Sequence, residues 1–374
     1  MNKFSKFFVC LLVTVVCLAG PDRLAAQDNP GSLKAKQGAE AKGFTFIASR
    51  DEIIAKAKKE GKVRVLSAMD SATFPHMAKA FKQKYPFMDI YIEEISGTDS
   101  AQRFHLELQA GTTGDWDVFR VFTDFYDALA VHAKKIDLLK MAERGVLKIP
   151  PKMIDTRYRS IVHGGSAIAS AAYNRELISA EQVPNTWEGF LKPEFKGRKF
   201  LVDIRPINFA PFAAALGEEW LVNYARRIKE QEPVWVRGHT RAITAMVGGE
   251  YGLYQLTNYH SCVRAQQQDP RKVLVCKLIE PIPVRLSVQQ AIINNAPRPY
   301  GAILFLEFLA SPEAQKILDD IEPLKSSIYA PDSELEKATR GRKVAVMDTF
   351  EHTDRWVKKA VEGFGFPRAE KLKK

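Results

Sequence analysis

Apolar positions along the chain switch repeatedly between two periods. VRVLSA (63–68) has the β-branched, apolar character of a strand entering a core. Phe74, Met77, Ala78 and Phe81 then recur at helical spacing, with Ser71 or Thr73 able to cap the helix and Pro75 suited to its first turn. DIYIEEI (89–95) alternates as a strand. SGTDS follows, and then a helix from about Ser100 to Ala110, stopped by Gly111. DVFRVF (117–122) is the next strand, and Thr123 or Asp124 caps the segment after it. This order of strand, helix, strand, helix predicts an α/β domain with a largely parallel sheet.

VLKIPPKMI (146–154) interrupts the pattern with paired prolines, and Gly164-Gly165 follow. A second series then begins. SAIASAAY (166–173), RKFLVD (198–203), VWV (234–236), YGLYQLT (251–257) and KVLVCKLI (272–279) read as strands. Helical periodicity covers Phe209–Lys229, His239–Val247 and the segment holding TNYHSCVR. EPIPV (280–284) is a second proline-marked passage. Beyond it, RPYGAILFLEFLA and SPEAQKIL read as helices, the latter capped by Ser311 with Pro312 in its first turn. The segment from about Glu334 to Val361 reads as helical in part. Two proline-marked passages bracketing a self-contained block predict two lobes joined by crossover segments, with a cleft between them and a hinge at the crossovers.

The ends change the picture. MNKFSKFFVCLLVTVVCLAG opens the chain with Lys3 and Lys6 before an apolar run, and Leu24-Ala25-Ala26 offers a cleavage site. This reads as a cleaved secretory signal over residues 1–26; the run is shorter than the roughly 20 residues a membrane span needs. Residues 27–60 read as a lead-in, disordered over 28–43, where no periodicity is evident. The expected division is lobe 1 over 61–160 and 281–330, lobe 2 over 161–280, and a helical tail over 331–374. The formal charge is +11, and removing residues 1–26 takes away three basic residues and one acidic residue, leaving +9. That balance suits an anionic ligand. No Cys-His cluster, arginine-rich arm or RNA-binding aromatic motif points to nucleic acid. No HExxH, GxSxG or oriented Cys-His pair points to an enzyme. After export, Cys262 and Cys276 remain, as one disulfide or as two separate buried thiols.

Three polar stretches carry candidate chemistry. In SGTDSAQR (96–103), Gly97 lets a backbone approach closely, Thr98 and Ser100 offer hydroxyls, the helix start presents unpaired N–H groups, and Arg103 lies one turn in. RGHTR (237–241) repeats this pattern with Arg237, Gly238, Thr240 and Arg241. In TNYHSCVR (257–264), Tyr259 opens a helix after a strand and so can face the cleft. His260 points about 100° away from it, Cys262 reads as structural, and Arg264 reads as a surface charge.

Several longer stretches resemble the periplasmic solute-binding proteins of ABC importers, in the group that includes the ferric-iron binders. They are YNRELISAEQVPNTWEGFLKPEFKGR, AALGEEWLVNYARRIKEQEPVWVRGHT, AIINNAPRP and FLEFLASPEAQKIL. The likeness runs over about residues 60 to 330. It implies an α/β, two-lobed type II periplasmic-binding fold with two crossover hinge segments. It also implies a monomeric receptor in the periplasm that hands its solute to an ABC permease, with no nucleic acid as partner. Tyr173 and Asn174 match the family's aromatic-Asn position, where Tyr173 lines the pocket or packs at the crossover. Ferric members commonly place two tyrosines after an Asn. Here Asn258 and Tyr259 match, and His260 stands in for the second tyrosine. Asp70 stands where those members often have a His, and Phe122 where some have a Glu. Asp70, Tyr259 and His260 offer an O, O, N ligand set for a metal. The resemblance therefore implies Fe(III), or a metal–anion complex, as transported ligand. The departures and the arginines leave a small organic anion or oxyanion, such as a phosphonate, as the alternative.

Overall fold

The computed structural model describes residues 30–365. The expected signal segment, 1–26, lies outside these residues, as does the end of the tail. From the first described residue, α1 (Pro30–Glu40), α2 (Arg50–Glu60), β1 (Lys62–Ser67), α3 (Phe74–Lys84), β2 (Asp89–Glu94), α4 (Thr98–Ala110), β3 (Val118–Arg120), α5 (Tyr126–Ala130) and α6 (Leu138–Glu143) follow in order. The chain then enters β4 (Ile161–Asn174) and continues through β5 (Leu201–Asp203), α7 (Ala210–Leu216), α8 (Glu218–Glu230), β6 (Val234–Val236), α9 (His239–Val247), β7 (Leu253–Asn258), α10 (Tyr259–Gln268) and β8 (Leu274–Lys277). It returns through β9 (Ile282–Ile292), α11 (Pro299–Leu309), α12 (Pro312–Ile321), α13 (Glu334–Thr339), β10 (Val344–Met347) and α14 (Thr353–Phe364).

The strands run β2-β1-β3-β9-β4-β7-β5-β6, with β10 on β9 and β8 on β4. β1 pairs in parallel with β2 and β3, and β5 in parallel with β6 and β7. These are the two α/β halves expected of a two-lobed architecture. β4 and β9 are antiparallel to each other from Ile161↔Ala291 to Ile168↔Val284. Beyond that point β4 changes partners, to β7 from Ala169 and to β8 from Ala171. The crossover is therefore built of strand, and both halves hang on it.

Several departures from the sequence reading have identifiable causes. Gly164 and Gly165 are not a break but lie inside β4. A Cβ on Gly164 would sit 2.5 Å from Leu309, and one on Gly165 would sit 2.8 Å from the Lys325 carbonyl. Glycine is needed there because α11 and the 325 segment press directly on the strand. EPIPV does not end a strand; it leads into β9, and Glu280-Pro281 is cis. Pro283 lies one residue before the ladder to β4 begins at Val284, so its missing N–H removes no bond from that ladder. The long helix expected over 209–229 breaks at Gly217, whose φ of 94° no side-chain-bearing residue adopts easily. Residues 28–43 were expected to be disordered, yet Pro30–Glu40 is α1, with Ala35 and Ala39 buried. The tail adds a strand, β10, which pairs in parallel with β9, while α14 packs on α8 and β10 abuts α7.

α11 is buried from Gly301 through Leu309 and packs on α2, β1 and β9. Its one carboxylate, Glu307, is 2 % exposed and accepts from Arg50 at 2.6 Å and from the Lys148 N–H at 2.6 Å. No helix among the described residues is long and apolar enough to cross a membrane.

Candidate functional site

The end of β1 and the start of α10 carry the interlobe chemistry. Asp70 caps the turn after β1 by accepting from the Ala72 N–H at 3.0 Å. Its own N–H donates to Glu322 at 3.1 Å, and its second oxygen takes Arg264 of α10 at 2.5 Å. The Ala72 N–H, and then Arg264, hold the Asp70 carboxyl below its ordinary range against the effect of burial. Arg264, expected to be a surface charge, therefore ties α10 to the turn after β1. It lies on the same face of α10 as His260, one turn earlier. At sequence level that spacing was the available signal.

α10 is placed by what flanks it. β7 delivers Asn258, whose side-chain oxygen accepts from Asn208 at 3.0 Å and does not cap the helix. A disulfide between Cys262 and Cys276 ties α10 to β8, resolving the two possibilities for this pair. It closes a loop of sequence separation 14. Replacing either cysteine by Ser should lower unfolding stability by about 3 kcal/mol, read from denaturant titration, because the unfolded chain regains the closed loop's entropy.

Tyr259 is half-buried against the hydrophobic cluster of Ile168, Ile282, Val284 and Leu335 at the crossover. Burial alone pushes its hydroxyl pKa up. His260 is driven well below its ordinary value, first by burial, then by Lys325 and Arg264. Lys325 comes from the segment that docks on Gly165, so α10 faces lobe 1 at this point. Lys325 pairs with Glu322 at 3.4 Å.

Two further cations complete the region, and the sequence reading singled out neither. Arg120 ends β3. It donates to the Ile95 carbonyl at 2.7 Å and stacks over the Phe122 ring at 4.2 Å. Phe122, standing where some ferric members have a Glu, is thus an aromatic support for a guanidinium. Arg285 lies in the crossover strand β9, between Val284 and Leu286. A lone arginine in an otherwise uncharged run, IPVRLSVQQAI, was the signal that marked it.

The other expected site residues lie elsewhere. Gly97 and Thr98 open α4 and Ser100 lies in its first turn, but Arg103 is 74 % exposed and pairs with Glu107 at 3.6 Å. Ser100 and Arg103 border a small 110 Å³ hollow together with Glu93 and Glu94, acidic company for an anion site. At the start of α9, the Gly238 N–H donates to Asp203 at 3.2 Å, so a carboxylate of the chain itself already occupies that helix end. Arg237 and Thr240 are exposed. His239, between them, is inward: its Nδ1 lies 2.9 Å from the Tyr254 hydroxyl and its Nε2 3.7 Å from Asp203. Tyr173 is 7 % exposed and packs in the core. Asn174 donates to the Met246 carbonyl and accepts from the Glu176 N–H, which turns the chain after β4. Among the described residues, no three or more His, Cys, Asp and Glu side chains group to hold a metal ion. A concavity of 720 Å³ lies beside Leu177, Pro184, Lys192 and Tyr251, and its lining includes none of Asp70, Tyr259, His260 and Arg264.

A two-lobed α/β body with polar groups facing each other across its crossover is the form of a solute receptor. The chain belongs to the bacterial extracellular solute-binding proteins, whose family model matches residues 76–328. Among solved structures it is similar to the FutA (IdiA) protein of Trichodesmium in complex with iron and citrate, with a TM-score of 0.61 and 17 % identity over 82 % of this chain and 98 % of that one. It is likewise similar to the apo ferric ion-binding protein A of Pasteurella haemolytica, with a TM-score of 0.61 and 16 % identity over 83 % and 100 %. The ferric binding protein of Campylobacter jejuni gives 0.61 and 18 % over 81 % and 98 %. At such identities the likeness establishes the fold. No curated protein matches the chain in sequence.

Proposed function

We propose that the chain is the periplasmic receptor of an ABC importer and closes on its solute between the lobes. The Asp70–Arg264 contact carries this reading. It joins the turn after β1 to α10, and so supports a cleft with Asp70 on one wall and Tyr259, His260 and Arg264 on the other. Lobe 1 is assigned residues 61–160 and 281–330, lobe 2 residues 161–280, and the tail a bracing role across both. The segment 1–26 directs export and is removed. The receptor works as a monomer, passes its solute to a membrane permease, binds no nucleic acid and leaves the solute chemically unchanged.

The solute is ferric ion or a ferric–anion complex, held through Asp70, Tyr259 and His260. The ferric binders of the same fold support this, as do the phenol and imidazole at the start of α10. Purified protein given ferric citrate should develop a visible phenolate-to-iron absorbance that Tyr259→Phe abolishes. A metal-free small anion is the second reading. It is favoured by the cations around α10 and by a Tyr259 hydroxyl whose pKa is raised, the direction opposite to that of a phenolate ligand. Under it, no iron band forms and the thermal midpoint rises with the anion alone.

A further inference from the structure

We propose that His105 and His132 form a metal site of their own, one that takes a divalent transition-metal ion of the zinc, copper or nickel kind. It shares no residue with the interlobe candidates and does not rest on the receptor reading.

The two imidazoles meet from separate parts of the chain. His105 lies in α4, and His132 lies just past the end of α5. Their ring centres are 5.9 Å apart, with the planes at 69°. An imidazole nitrogen binds zinc at about 2.0–2.1 Å, which puts the ion roughly 3 Å from the ring centre. An ion midway between these rings is therefore within reach of both. The soft torsion between Cβ and the ring lets each one turn a nitrogen inward. The backbones that carry them are fixed. His105 sits inside a helix of 13 residues. The His132 N–H donates to the Leu129 carbonyl at 3.0 Å, its carbonyl accepts from the Asn294 N–H at 3.0 Å, and Ala133 bridges to Ile293 beside β9. Ligands on such supports need little ordering to bind an ion.

The ring nitrogens are also free to bind. The histidines set beside carboxylates are His163, His239 and His352. Among the described residues, neither the His105 ring nor the His132 ring has a carboxylate or a hydrogen-bond partner; they touch each other instead. Both are partly exposed, so an ion can reach them from solvent. Each is flanked in sequence by apolar residues, Phe104 and Leu106 on one side and Val131 and Ala133 on the other. The cations nearest in sequence are engaged: Arg103 pairs with Glu107, and Lys134 donates to the Asn294 carbonyl. A neutral imidazole offers one lone pair, and imidazole ligands suit zinc, copper and nickel. No third His, Cys, Asp or Glu of the described residues joins the two rings. Water fills the remaining positions, and the ion stays exchangeable.

Calorimetric titration of the full mature chain, free of any affinity tag, with zinc chloride tests this. Saturable binding should appear. His105→Ala and His132→Ala should each weaken it more than tenfold, because one remaining imidazole no longer chelates. Zinc should raise the thermal midpoint of the native chain and leave that of either variant where it was. In metal-free buffer both variants should melt where the native chain does, since neither ring holds a partner. With copper(II), electron paramagnetic resonance should show two nitrogen ligands, with one fewer in each variant. His260→Ala should leave that copper signal in place, which separates this site from the start of α10. The site is overturned if zinc does not bind, if binding survives either histidine substitution undiminished, or if His260→Ala rather than His105→Ala removes it. None of these outcomes bears on the ferric citrate absorbance at Tyr259, so the receptor reading stands or falls separately.

Discussion

Asp117→Ala should lower unfolding stability by about 3–5 kcal/mol and loosen the lobe 1 wall of the site with it. Asp117 is fully buried in lobe 1 beside β3. One oxygen accepts from the Arg298 N–H at 3.0 Å; the other accepts from the Arg64 N–H of β1 at 2.8 Å and from Arg298 Nε at 2.8 Å. A single carboxylate thus ties β1, β3 and the entry to α11 together. Removing it takes away the buried partner of the Arg298 guanidinium, which is itself nearly buried and keeps only the half-exposed Asp115, and leaves backbone donors unmet. β1 ends near Asp70, so the Asp70 side of the proposed cleft depends on this anchor. Asp115→Ala is the control. Asp115 also pairs with Arg298, at 2.9 Å, but is 45 % exposed, and its loss should stay within about 1 kcal/mol. Chemical denaturation of the two variants side by side checks the difference.

The second large effect is acid lability that begins well above the carboxylate range. His163 lies in β4, enclosed by Tyr126 and Phe350, and neither ring nitrogen has a hydrogen-bond partner. Burial lowers its pKa to about 4, against the opposing pull of Asp155 and Asp348. His239 is lowered to about 4 as well, again chiefly by burial. In each case the folded chain refuses a proton that the unfolded chain accepts near 6.5. The neutral histidines therefore cost nothing above about pH 6.5. Below it, stability is lost progressively until the pH reaches about 4, where the folded state protonates too. The loss is on the order of a few kcal/mol for each histidine. Urea midpoints measured from pH 7.5 to 4 should fall along this window. His163→Leu should remove one histidine's share without sacrificing a hydrogen bond. A stability profile flat to pH 4.5 would contradict the burial of these rings.

Much of the scaffold was legible because local signals agreed. β1, α3 and β2 alternate or repeat with clean periods, and Ser311-Pro312 opens α12 as written, the serine accepting from the Ala314 N–H. α9 runs over the residues its pattern indicates, His239 to Val247. Legibility failed where tertiary contact overrode local preference. β9 carries two prolines at its entry and buries both faces, so neither alternation nor a turn signal marks it. β10 is short and depends on β9 for its partner. α1 has weak periodicity and is held by burial of two alanines.

The site divided in the same way. That Tyr259 and His260 open a helix directly after a strand was legible; that they hold the solute is the proposal. The loops at 97–103 and 237–241 looked equally suited to anions, but the carboxylates that answer them, Glu107 and Asp203, are respectively one turn on and a strand away. Arg120 on β3 and Arg285 on β9 each bury an Nε without a hydrogen-bond partner, a property of the folded chain that no spacing rule reports.

On the receptor reading the solute lies between the lobes. A crystal structure of the full mature chain grown with its bound solute tests this most directly. The solute should lie between α10 and the segment of Asp70 and Lys325. Solute seated instead in the 720 Å³ hollow beside Leu177 and Tyr251, with Asp70, Tyr259, His260 and Arg264 untouched, would contradict it.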